Sequence, residues 1–466
     1  MNRLWLPLLI LFVMAAGHPA AAAETRPNIV LILADDLGWT DLACMGSQYY
    51  ETPHIDRLAQ QGVTLRSFYV SQNCAPTRAA LISGQYAPRT GIYTVGTFNR
   101  GREQDRGMVP PENQRLLPTD TVTIAQALQQ AGYATGMFGK WHLGNTKDHH
   151  PSQRGFDEAL VSNGRHFKFR TIPPTPKPAD GVYLADFLTD RAVDFIDRHR
   201  DEPFFLYLPH FAVHVPLHAR ADLISRYRAK AGVDGHNDPV YAAMIHSVDE
   251  SVGRVMDALE RHSLTGNTLL IFTSDNGGVG GYRVPGTHER KGTTDNTPLR
   301  GGKGMLYEGG VRVPFIARWP GQIPAGSQTD APVAHVDLYP TFVDVAGGAL
   351  PEGYTLDGTS AVDVLKQPET AHDRPPIYWH FPGYLESYIE EEVWRTTPVS
   401  VIRDGDFKLL EFFEDERLEL YNLSEDIGEE RDLAAELPGK TRELHEKLKA
   451  WRKETGALMA RQKDSR

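Results

Sequence analysis

The sequence predicts an α/β fold: a large mixed, mostly parallel sheet sandwiched by helices, followed by a smaller C-terminal α+β domain. Three observations predict it. Apolar runs such as Ile29–Leu33 are unbroken, which is typical of parallel strands buried on both faces. Amphipathic segments, the clearest at Tyr241–Leu259, alternate with these runs. Beyond about Ala371 the chain changes to short aromatic pieces and one charged helix, which predict a short antiparallel sheet and a helix.

The elements follow from periodicity and from the residues that end them. Gly62 and Gly132 each stand directly behind a segment of helical spacing, and Pro76 precedes a segment at a position where helices commonly begin. The predicted strands are Ile29–Leu33, Val63–Val70, Ala134–Phe138, Phe204–Leu208, Thr268–Thr273, Ile377–Phe381, Val399–Ile402 and Phe407–Phe413. The predicted helices are His54–Gln61, Thr77–Ser83, Val122–Gln130, Leu184–His199, Tyr241–Leu259 and Lys440–Lys453.

Composition narrows the class of protein. The chain has 466 residues, of which 41% are hydrophobic and 23% are charged, as in ordinary globular proteins and not in disordered ones. This length predicts more than one unit, and we place a larger domain at 24–370 and a C-terminal subdomain at 371–466. With 49 Lys+Arg against 60 Asp+Glu, the net charge of −11 argues against nucleic acid as the main partner, although it allows a local basic pocket.

The N-terminus has the pattern of a secretory signal peptide over residues 1–23. Arg3 is followed by the apolar run Leu4–Ala16, and Ala21–Ala23 offers a cleavage site of small residues. An N-terminal anchor helix is the alternative interpretation. No later segment is apolar enough to span a membrane. The sequence therefore predicts an exported protein, periplasmic or secreted, without stable membrane insertion.

Two polar pairs follow predicted strands at their carboxyl ends, where open α/β sheets bind ligands. Asp35-Asp36 follows the first strand, and Asp275-Asn276 follows Thr268–Thr273. Three carboxylates and one amide oxygen at one edge would repel each other without a cation, and such hard ligands suit Ca²⁺ or Mg²⁺. The alternative is that each pair only caps a helix or a turn.

The segment Cys74-Ala75-Pro76-Thr77-Arg78, followed by Ser83-Gly84, resembles the signature of type I sulfatases. In that family the cysteine is oxidised after translation to Cα-formylglycine. The resemblance covers residues 28 to about 320 and implies an alkaline-phosphatase-like fold with 24–370 as the catalytic domain. The further segments that carry it, all in the family's order, are Asp35-Asp36, Gly139–His142, His214–Pro216, Asp275–Gly277 and Gly302-Lys303.

The resemblance also implies roles for individual residues. One Ca²⁺ per chain, with Mg²⁺ the weaker alternative, would be held by Asp35, Asp36, Asp275, Asn276 and the modified Cys74. Arg78, Lys140 and Lys303 would neutralise the sulfuryl oxygens while the hydrate of residue 74 attacks sulfur. His214, with Lys303, would protonate the leaving alcohol, and His142 would deprotonate the second hydroxyl to release sulfate. A formylglycine-generating maturation enzyme is then a necessary partner. Conversion of Cys74 also agrees with the predicted cation, because a soft thiolate is a poor ligand for a hard cation.

Residues that select the substrate are harder to identify. Arg165 and His166 belong to a basic cluster with Lys168 and Arg170, and Arg283 lies with His288 in a glycine-rich loop. Trp379, His380 and Trp394 could reach the cleft from the C-terminal subdomain. Basic and aromatic side chains suit a sulfated glycan, or a small sulfate ester, as the substrate. For each of them, packing or surface exposure is the alternative.

Two other functions remain open on the sequence. One is a phosphate or phosphonate ester hydrolase of the same superfamily, and the other is a non-catalytic glycan-binding homologue. Cys44 has no motif and is predicted to be a structural thiol. A Cys44–Cys74 disulfide is conceivable in an oxidising compartment, and it would abolish the proposed chemistry.

Overall fold

The computed structural model describes residues 26–175, 178–390 and 392–463, so the predicted signal peptide lies outside the described residues. The strands are β1 (Asn28–Ala34), β2 (Val63–Tyr69), β3 (Met108–Val109), β4 (Ala134–Gly139), β5 (Glu158–Ser162), β6 (Thr171–Ile172), β7 (Phe204–Pro209), β8 (Thr268–Ser274), β9 (Tyr282–Arg283), β10 (Arg290–Lys291), β11 (Arg312–Arg318), β12 (Ser327–Thr329), β13 (Val333–Ala334), β14 (Ile377–Phe381), β15 (Leu385–Glu386), β16 (Trp394–Thr396), β17 (Val399–Asp404), β18 (Phe407–Phe412), β19 (Leu418–Asn422) and β20 (Arg461–Gln462).

The α-helices are α1 (Pro53–Gln60), α2 (Cys74–Ser83), α3 (Ala87–Thr90), α4 (Ile124–Gln130), α5 (Leu184–Arg198), α6 (Ala221–Arg228), α7 (Pro239–Arg261), α8 (Glu308–Val311), α9 (Leu338–Val345), α10 (Val362–Lys366) and α11 (Pro438–Thr455). Among the described residues, none of the helices is long and apolar enough to cross a membrane.

The main sheet has ten strands in the order β12-β2-β11-β8-β1-β7-β4-β5-β6, with β13 also paired to β2. Its central block, β8-β1-β7-β4-β5, is entirely parallel. Antiparallel pairing enters through β11, which lies between β2 and β8, and through β6 at the far edge. The predicted mixed, mostly parallel sheet is therefore confirmed.

Both faces of this sheet are covered, as the unbroken apolar runs predict. In β1, Ile29, Leu31 and Leu33 pack into one core, while Val30 and Ile32 pack into another on the opposite face. Because side chains alternate between the faces of a strand, such a run is stable only where helices bury both faces. The first core includes helices α2, α4 and α9, and the second includes α5 and α7.

The C-terminal subdomain is built on the antiparallel sheet β14-β17-β18-β19, against which helix α11 packs. Its core is shared with the larger domain, because Tyr69, Ala80 and Val311 belong to the same apolar cluster as Val401 and Leu448. The subdomain is thus packed onto the larger domain through a continuous apolar interface. This arrangement confirms the predicted α+β character of the tail.

Candidate active site

The two polar pairs meet because their strands are neighbours. In the parallel pairing of β1 and β8, Ala34 lies opposite Ser274, so the residues that follow both strands emerge side by side. The backbone N–H of Asp36 donates to Asp275 Oδ1 at 3.2 Å, and Asn276 Nδ2 donates to Asp36 Oδ1 at 2.8 Å. Three carboxylates and one amide are therefore gathered, fully buried, at one point of the sheet edge.

Cys74 is the first residue of α2, a helix whose ten residues are all buried. The helix begins at Cys74, three residues before the predicted start, because Pro76 is tolerated in a first turn where backbone N–H groups need no helical partner. Cys74 is 1% exposed, and its Sγ and one carboxylate oxygen each of Asp35 and Asp275 all lie within 4.8 Å of one another. Burial raises the pKa of its thiol, against the charges of Lys140 and Lys303.

The two cysteines are not bonded to each other. Both Cys44 and Cys74 are free thiols, so the conceivable Cys44–Cys74 disulfide is not present. Cys44 packs against the core on the α7 side of the sheet, and its backbone N–H donates to Asp56 Oδ1 at 2.9 Å. Burial, with the charge of Asp56, raises the pKa of the Cys44 thiol, which agrees with a structural role.

Three cationic side chains surround the carboxylates. Arg78 donates to Asp275 Oδ2 through Nε at 2.9 Å and Nη2 at 2.7 Å. Lys140 Nζ donates to Asp35 Oδ2, and Lys303 Nζ lies 2.6 Å from Asp36 Oδ1. Three carboxylates and three cations balance, so a divalent cation would give the site a net positive charge suited to a small anion.

The two aspartates facing Arg78 differ in pKa. Burial opposes ionisation of Asp35, but the charges of Lys140, His214 and Arg78 outweigh it and hold the pKa well below its usual range. Burial, with the charge of Asp35, raises the pKa of Asp275 to about 6 despite Arg78. A further positive charge beside both groups would favour the ionised form of each.

The residues present fit a hard divalent cation. Asp35 Oδ1 and Asn276 Oδ1 are buried and have no hydrogen-bond partner. Leaving such atoms unpartnered costs about 1–3 kcal/mol each, unless a ligand satisfies them. Oxygen donors of this kind are what Ca²⁺ prefers in proteins. Within the part of the chain that the structure describes, both clusters of potential metal ligands lie here: Asp35, Asp36 and His214, and Asp35, Cys74 and Asp275.

The two histidines that are predicted to move protons differ in their surroundings. His142 is partly buried and its Nδ1 is buried without a hydrogen-bond partner, while desolvation, reinforced by the charges of Lys140 and Arg78, lowers its pKa to about 3. It is therefore neutral and able to accept a proton. The side chain of His214 is 31% exposed, and its Nε2 lies 3.7 Å from Asp36 Oδ2. His214 thus stands between the carboxylates and the opening of the cavity.

A cavity of about 680 Å³ opens over this cluster. Its size suits a sugar unit rather than a macromolecular surface. Its walls combine predicted residues with others that the sequence did not indicate: Asn73, Cys74, Val95, Arg100, Lys140, Trp141, His142, Asn145, Val161, Ser162, Asn163, Gly164, Arg165, Phe211, His214, Val215, Pro216, Lys303, Leu385, Tyr388 and Arg395.

Only one of the three predicted substrate-binding residues outside the motifs lines this cavity. Arg165 does, and it also lines an adjoining cavity of about 500 Å³. His166 is buried and its Nε2 donates to the backbone oxygen of His214 at 2.9 Å, so it supports the His214 loop from behind. Arg283 lies outside the main cavity and forms an ion pair with Glu430.

The aromatic candidates of the C-terminal subdomain do not line the cavity either. Trp379 is buried and donates to Val70 O at 2.7 Å, and His380 is buried against Ser400. Trp394 donates to Asp105 O at 2.9 Å. The subdomain reaches the cavity through Leu385, Tyr388 and Arg395 instead.

Comparison with known proteins agrees with this geometry. A family model described as Sulfatase matches residues 27–349, and one described as N-sulphoglucosamine sulphohydrolase, C-terminal, matches residues 302–454. A protein of Formosa agariphila named Sulfatase is 38% identical over 525 residues, covering 95% of this chain and 92% of that protein. N-acetylgalactosamine-6-sulfatase of Sus scrofa is 34% identical over 398 residues, covering 80% of this chain and 72% of that protein.

Solved structures show the same fold. The crystal structure of Ps i-CgsB in complex with k-i-k-neocarrahexaose has a TM-score of 0.76 and 32% identity, covering 92% of this chain and 93% of that one. A phosphonate monoester hydrolase of Agrobacterium radiobacter, at 21% identity and a TM-score of 0.66, shares the fold over 92% of this chain and 96% of its own. The family model, the relatives and the site agree, and the chain therefore belongs to the sulfatase family and is a sulfatase.

Proposed function

We propose that this sulfatase releases inorganic sulfate from sulfated carbohydrates, with residue 74 converted to Cα-formylglycine and one Ca²⁺ held between the two strand ends. The observation that carries the proposal is that the unpartnered oxygens of Asp35 and Asn276 lie in one buried cluster with Arg78, while Cys74, Lys140 and Lys303 of the same cluster line a cavity. A carbohydrate substrate is supported by the cavity's size and by the relatives, one named for N-acetylgalactosamine and one solved with a neocarrahexaose.

The residues that would hold the ion are Asp35, Asp36, Asp275 and Asn276, together with residue 74. When present, the ion supplies positive charge beside the reacting sulfur, and the hydrated aldehyde of residue 74 supplies the nucleophilic oxygen. Arg78 is committed to Asp275 and to Lys140 O, the latter at 2.7 Å, so it holds the carboxylate and the Lys140 segment in place. Lys140 and Lys303 line the cavity and orient the sulfuryl oxygens.

Two histidines that line the cavity are assigned the proton transfers. His214 is partly exposed at the cavity, and its Nδ1 donates to Val215 O at 2.7 Å, which leaves Nε2 to protonate the leaving sugar oxygen. His142 is held neutral by burial and the nearby cations, so its free ring nitrogen accepts a proton from the side of residue 74. His214 is thus the proposed proton donor and His142 the proposed acceptor, the two roles that acid–base catalysis requires.

Two measurements test the proposal together. Mass spectrometry of the peptide spanning residue 74, from protein made in the native host, should show the aldehyde. The same protein, with Ca²⁺, should release sulfate from at least one member of a panel of sulfated mono- and oligosaccharides. Release from none of them, with the aldehyde confirmed, would refute the proposal, and an unmodified thiol would favour a non-catalytic glycan-binding role.

The phosphate or phosphonate ester alternative is tested by the same preparation. Phosphate monoesters are dianions that often require two metals, whereas the potential ligands of the described chain gather at a single site. We expect kcat/KM for a sulfate ester to exceed that for the matching phosphate ester. A higher kcat/KM for the phosphate ester would instead support the phosphate or phosphonate ester hydrolase.

We also propose that the chain is exported, on the signal-peptide pattern of residues 1–23. Mature protein isolated from the native host should begin near Glu24. A retained Met1–Ala23 segment would favour the anchor-helix interpretation.

A further inference from the structure

The C-terminal subdomain contributes an arginine to the cavity. Arg395 lies in β16, which pairs with β15, and its side chain lines the cavity together with Cys74 and Lys303. Thr396 Oγ1 donates to Gly304 O at 2.6 Å, which docks the β15–β16 hairpin on the Lys303 loop. Arg395 is therefore held beside the residues that receive the sulfate, although it comes from a different part of the fold.

In the described part of the chain, the guanidinium of Arg395 has no carboxylate paired with it. Its Nε and Nη1 are buried without a hydrogen-bond partner, and among the described residues none of the carboxylates forms an ion pair with it. Burying unpaired donors of a cation is costly, and the two buried lysines of this cavity, Lys140 and Lys303, are each paired with an aspartate. Arg395 thus differs from these lysines in having two donors, Nε and Nη1, without a protein partner.

The side chain is nevertheless held in position. Its Cζ lies 4.0 Å from the centroid of the Tyr388 ring. A Cβ at Gly304 would lie 2.4 Å from Arg395 Nε, and Gly304 has a φ of +89°, so only glycine leaves this space for the guanidinium. A fixed guanidinium loses little conformational entropy when it binds an anion.

A second arginine of the cavity differs, because its donors have hydrogen-bond partners within the protein. Arg100 also lines it, but its Nε donates to Thr97 O at 3.1 Å and its Nη2 donates to Val95 O at 2.6 Å. Its donors are therefore largely used within its own loop. Tyr388, by contrast, is 52% exposed and offers apolar ring surface next to Arg395.

We infer that Arg395 binds a second anionic group of the substrate, a sulfate or a carboxylate on the same sugar or the adjoining one. The inference rests on the proposed function. A guanidinium binds such oxyanions through charge-assisted hydrogen bonds. The Tyr388 ring would pack against the sugar that carries the group. Arg395 then makes the enzyme selective for multiply charged saccharides over singly charged ones.

The test compares three disaccharides that carry the same cleaved sulfate: one with no other charge, one with a second sulfate and one with a carboxylate. Wild type should prefer one of the charged substrates in kcat/KM. In Arg395→Met that preference should fall by about 10-fold or more, mainly through KM, as expected for a charge-assisted hydrogen bond. Arg395→Lys should recover part of it. The matched control is Arg417→Met, since Arg417 stacks on Phe412 at 3.9 Å in the same subdomain but does not line the cavity.

A preference that is unchanged in Arg395→Met would overturn the inference, and so would an equal loss on all three substrates, which would indicate a structural role. Binding gives a readout without turnover. Calorimetry on Cys74→Ala should show that Arg395→Met weakens binding of the doubly charged disaccharide more than that of the singly charged one. If wild type with the confirmed aldehyde cleaved none of the sugars, the proposed function would fail, and this binding difference would still decide the role of Arg395.

Discussion

Two clusters of buried charge lie in this molecule, one at the strand ends and one where the C-terminal subdomain meets the larger domain. The strand-end cluster comprises Asp35, Asp36, Asp275, Arg78, Lys140 and Lys303, and the junction cluster comprises Glu308, Glu429, Lys408 and Arg312. Both consist of carboxylates and cations that are almost fully withdrawn from solvent. They differ in the surroundings of their oxygens without a hydrogen-bond partner, which are Asp35 Oδ1 and Asn276 Oδ1 at the strand ends and Glu429 Oε1, beside Lys408, at the junction.

At the junction, cationic and hydroxyl groups of the protein pair with the buried carboxylates. Lys408 Nζ lies 2.9 Å from Glu308 Oε1 and 2.9 Å from Glu429 Oε1. Glu308 Oε2 accepts from Tyr69 at 2.7 Å and from Arg312 at 3.3 Å. At the strand ends, Asp35 Oδ1 and Asn276 Oδ1 accept from no protein donor. Buried charge alone therefore does not mark a functional site, whereas unpartnered ligand atoms beneath a cavity do.

The largest expected effect separates the two cysteines. Cys74→Ala should lower kcat/KM for sulfate release by at least about 10⁴-fold, because the proposed nucleophile is lost while the fold remains. Cys44→Ala is the matched control, and it should leave turnover within about two-fold of wild type. Substantial residual activity of Cys74→Ala, with circular dichroism unchanged, would contradict the assignment of residue 74.

Removing the central cation of the junction should act on stability instead. Lys408→Met leaves Glu429 buried without its cation and leaves Glu308 with Arg312 as its remaining cation, and the free energy of unfolding should fall by about 3–5 kcal/mol in urea titrations. The folded variant should keep its kcat/KM. Lys303→Met offers the opposite case, with kcat/KM lowered by about 10²–10³-fold. If Lys408→Met lowered kcat/KM of the folded enzyme as strongly as Lys303→Met does, the distinction between the clusters would be wrong.

Metal removal should affect the strand-end cluster alone. Chelation with EDTA should lower the unfolding free energy by about 2–3 kcal/mol relative to enzyme at a Ca²⁺ concentration 100 times Kd, and Ca²⁺ should restore it. In Asn276→Ala, which removes one unpartnered oxygen, the thermal shift on adding Ca²⁺ should shrink. An identical melting temperature with and without Ca²⁺ would argue against a cation at this site.

The smallest effect concerns pH and the junction. Burial, reinforced by the charge of Glu308 and opposed by Lys408, raises the pKa of Glu429 from 4.5 to about 7. The folded state therefore holds this proton to a higher pH than the unfolded state does, so stability falls as pH rises between about 5 and 8. We expect a loss of about 1–3 kcal/mol in wild type and a flatter dependence in Glu429→Gln. If the unfolding free energy of wild type and of Glu429→Gln depended equally on pH, the assignment of this dependence to Glu429 would be disproved.

Much of the fold was predictable because its signals are local. Unbroken apolar runs indicated β1, β7 and β8, and the apolar stripe indicated α7, whose observed bounds are Pro239–Arg261. Strand β11 was missed although it is completely buried. Its sequence has Pro314 at the third of seven positions and an arginine at each end, and its pairing with β2 is irregular between Val313 and Phe315, so it does not resemble a central strand.

The strand-end residues could be predicted from the sequence because their positions depend on short-range rules. A residue that follows a buried parallel strand must emerge at the carboxyl edge of the sheet, and hard oxygen donors there indicate a cation whatever the rest of the chain does. Recognising the two strands that precede Asp35 and Asp275 was therefore enough to predict where these residues lie. The motif around Cys74 added the helix that carries the proposed reacting residue.

The outer wall of the cavity depended on how distant segments dock. Arg395 enters the cavity because Thr396 binds the backbone at Gly304, and His166 leaves it because its ring supports His214 from behind. Neither contact has a periodicity or a motif, since both join residues far apart in the chain through shape and hydrogen-bond geometry. Residue types and strand order thus determine the chemistry proposed for this enzyme, while the packing of one subdomain on another selects which charged groups face the cavity.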